Sequence, residues 1–252
     1  MRFFFSLSTI LPGALLSITL ASAQPTQTLT VMTSGGFTAA YQALAPEFTR
    51  NTQINLITVY GASMGGAPSS IPNRLARGES ADVVILAAAG LEQLLSEGHV
   101  VTNSQVALAS SRIGMVVRQG TRQPDISTVG QFTQTLLEAD SVAYSASASG
   151  TYLETELFPK LGLAGRLAGK SSRILGERVG AVVARGDAEI GFQQVSELLP
   201  IPGVTYVGAI PDAVQKITTF TAKRSTACRS ARSISLPAPW TRMSSRATQP
   251  AA

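Results

Sequence analysis

Leu29-Thr30-Val31-Met32-Thr33-Ser34-Gly35-Gly36-Phe37 reads as a β-rich run, a turn of small residues and the opening of a helix, and this unit decides the fold. From Phe37 to Arg50, apolar residues at Ala40, Leu44 and Phe48 follow a helical spacing, and a second strand runs from Ile54 to Tyr60. Beyond a Gly/Ser/Pro-rich loop and a helix around Ile71 to Arg77 comes Asp82-Val83-Val84-Ile85-Leu86. Such an unbroken apolar run fits a parallel strand covered on both faces. A helix from about Gly90 to Ser96 completes a βαβαβα series, which predicts an α/β sheet.

Val106-Ala107-Leu108-Ala109 and Ile113-Gly114-Met115-Val116-Val117 break that alternation, because two closely spaced strands mark a crossing into another lobe. A second α/β series follows: a helix near Val129 to Glu138, a strand Ser141 to Tyr144, helices Thr151 to Leu161 and Arg178 to Arg185, and a strand Glu189 to Gln193. Strands Gly203 to Val207 and Gln215 to Phe220 return the chain to the first lobe. The expected architecture is two lobes joined by two crossovers with a ligand cleft between them. Residues 24–108 plus 213–222 form lobe 1 and residues 109–212 form lobe 2. No internal repeat is visible.

At the N-terminus, Arg2 precedes an apolar run from Phe3 to Leu20 that closes on Ala21-Ser22-Ala23, the order of a secretory signal peptide over residues 1–23. Pro12 and Gly13 interrupt the run, which argues against a membrane anchor, and the mature chain is expected in the periplasm, starting near Gln24. With 44% hydrophobic and 14% charged residues, the remainder has the composition of a packed globule. Cys228 is the single cysteine and His99 the single histidine, so neither a disulfide framework nor a zinc site is expected. The pI near 9.7 arises at one end. From Ala213 onward there are seven basic residues and no acidic one; removing these and Arg2 from the 20 basic residues leaves 12 against 15 acidic, a formal −3 for the body. The charge therefore gives no case for nucleic acid, and a monomer is expected.

Ligands of open α/β sheets gather at the carboxyl ends of the strands. The loops there are Thr33-Ser34-Gly35-Gly36-Phe37, Gly61-Ala62-Ser63-Met64-Gly65-Gly66, Ala87-Ala88-Ala89 and, in the second lobe, Ser145-Ala146-Ser147-Ala148-Ser149-Gly150-Thr151. All are small, neutral and mostly hydroxyl-rich. Helix N-termini present free N–H groups and a partial positive charge, so Ser or Thr there beside Gly can surround an anion without a charged side chain. Each loop alone is an ordinary cap or tight turn, whereas several facing one cleft point to a small anionic ligand.

The same loops contain Gly61-Ala62-Ser63-Met64-Gly65, which fits a Gly-x-Ser-x-Gly nucleophile elbow and would make Ser63 a hydrolase nucleophile. The required base would be His99, in a stretch that reads as a helix end, and Ala67-Pro68 fits poorly with the helix an elbow needs. Glu154, Glu156, Asp187 and Glu189 read as solvated surface. Arg178 reads either as a surface ion-pair residue or as a cleft residue near a helix start. Gln193 and Gln194, at a strand end, either donate amide hydrogens to a ligand or cap the next helix.

The lobe order and loops together resemble the molybdate-binding, ModA-like branch of the type II periplasmic solute-binding proteins, from about Leu29 to Phe220. The resemblance is carried by Val31-Met32-Thr33-Ser34-Gly35-Gly36-Phe37, by Asn73-Arg74-Leu75-Ala76-Arg77-Gly78-Glu79-Ser80-Ala81-Asp82-Val83-Val84-Ile85 and by Val183-Ala184-Arg185-Gly186-Asp187-Ala188-Glu189-Ile190-Gly191-Phe192. It implies an oxyanion such as molybdate or tungstate held by hydroxyls and amides of both lobes, with Ser34, Ser63 and Ser147 matching the family's serines and Ala88 its amide donor. It also implies no cofactor, no catalysis, and an ABC permease as partner. The family often places a tyrosine where this sequence has Gln194, and polar residues where it has Ala87-Ala88-Ala89; a small organic acid, bound by a transporter component or a sensory protein, is the alternative ligand class.

Residues 223–252 form a basic tail of Arg, Ser, Ala, Thr and Pro without helical or strand period, holding the only Trp, Trp240. A disordered tail, a basic anion-binding arm and a frameshift that replaced the family's last helices are the three readings. Translation of the other two frames beyond codon 220 is expected to uncover an amphipathic helical ending if the frame was lost, and its absence from both frames rejects that reading. Intact-mass measurement of the exported protein is expected to give a chain beginning at Gln24.

Overall fold

The computed structural model describes residues 27–228, so the expected signal peptide and residues 229–252 of the tail lie outside the described residues. In lobe 1 the elements are β1 (Thr28–Ser34), α1 (Gly35–Thr52), β2 (Asn55–Gly61), α2 (Ile71–Ala76), β3 (Val83–Ala87), α3 (Ala88–Ser96) and β4 (Val106–Ser111). Lobe 2 contains β5 (Ile113–Arg118), α4 (Val129–Glu138), β6 (Val142–Ser145), α5 (Ala148–Tyr152), a π-helical turn (Leu153–Leu157), α6 (Phe158–Lys160) and α7 (Ala164–Leu167). It continues through β7 (Ser171–Ile174), α8 (Val179–Ala184), β8 (Ile190–Gln194), α9 (Val195–Leu198) and β9 (Val204–Ala209), after which β10 (Thr218–Arg224) rejoins lobe 1.

The sheets have five strands each, in the orders β2-β1-β3-β10-β4 and β7-β6-β8-β5-β9. β1 pairs in parallel with both β2 and β3, whereas β10 lies antiparallel between β3 and β4. The expected two-lobed α/β fold with two crossovers is therefore the observed one. The first crossover is the single residue Arg112, between β4 and β5, and Arg112 pairs with Asp212 on the second. Gln215 ties the two together: its Oε1 accepts from the Ile113 N–H at 2.8 Å and its Nε2 donates to the carbonyls of Ile113 and Ile210 at 3.0 and 3.2 Å.

The apolar run of β3 is explained by its two covered faces. Ile85 packs with Val31, Phe37, Tyr41 and Phe220, and Val84 and Leu86 pack on the opposite side with Met32, Ile71 and Leu94. Lobe 2 is built on Ile113, Met115, Phe132, Leu136, Leu153, Leu157 and Phe192, all fully buried. Lys223 and Arg224, expected to open the tail, instead complete β10, where they pair with Val84 and Val83; the ladder partner decides this, and local composition does not. The helix expected from Thr151 to Leu161 begins at Ala148 and widens into the π turn just ahead of Pro159, which has no N–H for an α-turn. β7 carries no apolar alternation and α7 and α9 are four residues each, too short to show a period.

The rings of Phe132 and Phe192 meet edge to face with centroids 5.8 Å apart at the centre of lobe 2. Phe192→Ala is expected to cost about 3–5 kcal/mol in urea denaturation.

Candidate functional site

A cleft of about 460 Å³ opens between the lobes, lined from lobe 1 by the ends of β1 and β2 and from lobe 2 by the ends of β6, β7 and β8. Of the residues expected there, Gly35, Ser63, Met64, Ser145, Ser147, Ser149, Arg178, Gln193 and Gln194 line it. Thr33, Ser34, Ala87, Ala88 and Gly150 do not line it and stand behind it.

The hydroxyls divide into two groups. Ser63 Oγ accepts from the Ala87 N–H at 3.0 Å, and Ser145 Oγ accepts from the Ser147 N–H at 3.0 Å, so both brace their loops. Ala87 thereby spends its amide on Ser63. By contrast, the side-chain oxygens of Thr33, Ser34, Ser149 and Thr151 and the carbonyl oxygen of Gln194 are buried without any hydrogen-bond partner. Unsatisfied buried polar atoms are costly; of these five, those of Ser149 and Gln194 belong to residues lining the cleft, where a ligand can complete them, and those of Thr33, Ser34 and Thr151 lie behind it. Ser34 precedes α1, an 18-residue helix, and makes no side-chain cap bond; Gly35 and Gly36 bring the free N–H groups of that helix to the cleft wall.

Several glycines are set by close approach. A Cβ on Gly65, whose φ is +97°, would run into the Ala146 carbonyl of the opposite lobe, and one on Gly36 would enter the Phe220 ring. Gly150 has no space for a Cβ beside the Ser145 carbonyl, so its role is to let α5 start against β6. The lobes also share direct bonds: Ser196 Oγ donates to the Gly36 carbonyl at 2.7 Å and Gln194 Nε2 donates to Thr218 Oγ1 at 2.8 Å.

Glu197, in the first turn of α9, was not expected at the site. Its side chain is 10% exposed, and it faces the start of α1 so closely that a Cβ on Gly35 would fall on its carboxyl oxygen. Gln193 Nε2 donates to Glu197 Oε1 at 2.9 Å, while Gln193 Oε1 accepts from the Val179 N–H at 3.0 Å. Arg178 approaches the same carboxyl at 3.6 Å. Burial pushes the Glu197 carboxyl up to about 7, against the opposing pull of Arg178 and the Gln193 hydrogen bond. The reading of Arg178 as a surface ion-pair residue therefore gives way to a partner of a buried carboxyl. Glu177, which also lines the cleft, is turned to Arg185 at 2.7 and 2.9 Å, which holds its carboxyl below the usual range.

Glu197 was legible in principle, since β8 runs parallel to β6 and Val195-Ser196-Glu197 follows its carboxyl end, but a four-residue helix gives no periodic signal. Nothing supports the hydrolase elbow. The Ser63 oxygen is engaged by a backbone amide, and His99 sits beyond the C-terminus of α3, with Nε2 3.8 Å from Glu97.

Two α/β lobes, two crossovers and a polar interlobe cleft define a type II periplasmic solute-binding fold. Azotobacter vinelandii periplasmic molybdate-binding protein shares it at TM-score 0.61 and 19% identity, over 88% of this chain and 93% of that one. Campylobacter jejuni PEB3 with L-phospholactate bound shares it at TM-score 0.58 and 9% identity, over 88% and 93%. The chain belongs to the bacterial extracellular solute-binding protein family, whose model matches residues 29–233 and so runs past Phe220, where the resemblance was expected to end. A Pseudomonas protein, aconitate isomerase, is 49% identical over 216 residues, covering 85% of this chain and 82% of its own. That relative is an enzyme, which corrects the expectation of a protein that binds without catalysing. Loop chemistry could not reveal this, because the same hydroxyls and helix ends serve binding and turnover alike.

A carboxyl whose folded value lies above its ordinary 4.5 stabilises the fold fully below that value, and the contribution is lost as pH rises through about 7. Wild-type protein is therefore expected to lose up to about 3 kcal/mol between pH 4.5 and pH 8 relative to Glu197→Gln, read from paired denaturation curves.

Proposed function

We propose that the protein captures a small unsaturated tricarboxylate of the aconitate type in its interlobe cleft, outside the cytoplasm, and isomerises it. The observation that carries this reading is the buried Glu197 beside Arg178 on the lobe 2 side of the cleft, and the 49% identical aconitate isomerase supports it. Arg178 supplies a guanidinium for one carboxylate. The α1 N-terminus at Gly35 and Gly36 and the unpartnered hydroxyl of Ser149 supply donors for the others. A carboxyl poised near neutrality is what proton transfer at a carbon next to a carboxylate requires.

The same carboxyl weighs against molybdate or tungstate. Capture of an oxyanion involves no proton transfer at carbon, so a pure oxyanion site has no use for a buried acid whose charged form opposes any anion. The ABC permease expected as partner is not needed for the proposed turnover itself and plays no part in this reading.

Calorimetry and proton NMR with cis- and trans-aconitate, citrate, molybdate, tungstate and sulfate test the proposal. Binding and interconversion of the aconitates are the expected result. Tight molybdate or tungstate binding without any response to a tricarboxylate, from folded protein, would overturn it and return the cleft to oxyanion capture.

A further inference from the structure

The isomerisation proposed above leaves open which group moves the proton. Aconitate carries a methylene and a vinylic CH on either side of one carboxylate-bearing carbon, so its double bond shifts when a proton leaves the first and arrives at the second. A group that does this must lie within the cleft, be able to gain and lose a proton near neutral pH, and be held in one orientation.

We infer that Glu197 is the catalytic acid–base group of that isomerisation, taking the methylene proton and returning it to the former vinylic carbon. In the first stroke a C–H bond breaks and an O–H bond forms on Glu197, while the electron pair spreads over the three-carbon unit and its attached carboxylates. In the second stroke the O–H bond breaks and a C–H bond forms at the other terminus, so the double bond has moved and the carboxyl is charged again. No oxidant, reductant or co-reactant is needed. The arm that has become part of the new double bond is fixed by the rotamer in which the cleft holds it, and this sets the cis or trans outcome.

Five points support the assignment. Glu197 is among the residues lining the cleft, at the start of α9 and facing the glycines that open α1. The Gln193 hydrogen bond and the nearest Arg178 approach both fall on Oε1, the oxygen that faces Gly35, so the carboxyl is held through one oxygen at the cleft wall. Gln193 is itself pinned by the Val179 N–H, so the carboxyl is held by a positioned amide. The other cleft carboxyl, Glu177, is committed to Arg185. Finally, a buried acid in a site otherwise built for anions costs stability, and glutamine would serve as well if hydrogen bonding were its whole role.

The test compares the wild type with Glu197→Gln and Glu197→Asp on trans-aconitate, reading kcat by NMR and Kd by calorimetry on the same samples. The expected result is a loss of about 10²–10⁴-fold in kcat for Glu197→Gln with Kd within about tenfold, and measurable turnover in Glu197→Asp, which keeps an acid at a shorter reach. Turnover by Glu197→Gln within tenfold of wild type overturns the inference and leaves the proposed function standing. Loss of binding in step with turnover also overturns it, making Glu197 a ligand-holding residue. A folded wild type that turns over no aconitate overturns the function and this assignment together.

Discussion

The burial of one carboxyl, Glu197, organises the rest of the site. A buried acid must be either neutral or compensated, and here both apply in part: Arg178 and the Gln193 amide favour its charged form, and exclusion of water favours its neutral form more. Each of these partners comes from the carboxyl end of a strand or the start of a helix in lobe 2. The opposing wall comes from lobe 1, where Gly35 admits the carboxyl because it carries no Cβ. The approach of the lobes, the glycines at their contact and the state of the acid are therefore one constraint seen from three sides.

Around that acid, the serines divide their work. Ser63 and Ser145 brace their loops by accepting backbone amides. Ser34 and Ser149 are left unsatisfied. Preorganised walls with unspent donors suit a fold whose closed form is favoured by a ligand touching both lobes. The same closure removes water from the reacting atoms, so a binding architecture can host proton transfer once a single titratable group is placed in it.

The expectation of a protein that does not catalyse failed at a specific point, since the 49% identical relative is an enzyme. Serines and glycines at helix starts are equally suited to molybdate, phosphate or carboxylates, because they read negative charge and not the skeleton that bears it. In the proposed reading the discriminating group is Glu197, which sits in Val195-Ser196-Glu197-Leu198, a four-residue helix too short to show a period. Ser63 shows the opposite case: its motif fits a nucleophile, yet its oxygen accepts the Ala87 N–H and the required base, His99, sits beyond the C-terminus of α3.

By itself the sequence determined the two α/β lobes, their order and the crossovers, because strand and helix periods and the apolar run of β3 are local signals that burial imposes directly. It also determined most of the cleft loops, since strand ends followed by Ser/Thr and Gly announce helix starts. Only the tertiary structure decided that Lys223 and Arg224 belong to β10, which a ladder with β3 captures. It alone brought Glu197 of α9 and Arg178 at the start of α8, with β8 between them, to one carboxyl–guanidinium contact at 3.6 Å. Long-range pairing and desolvation act through neighbours that the chain acquires only by folding, and a residue's protonation and role follow from those neighbours.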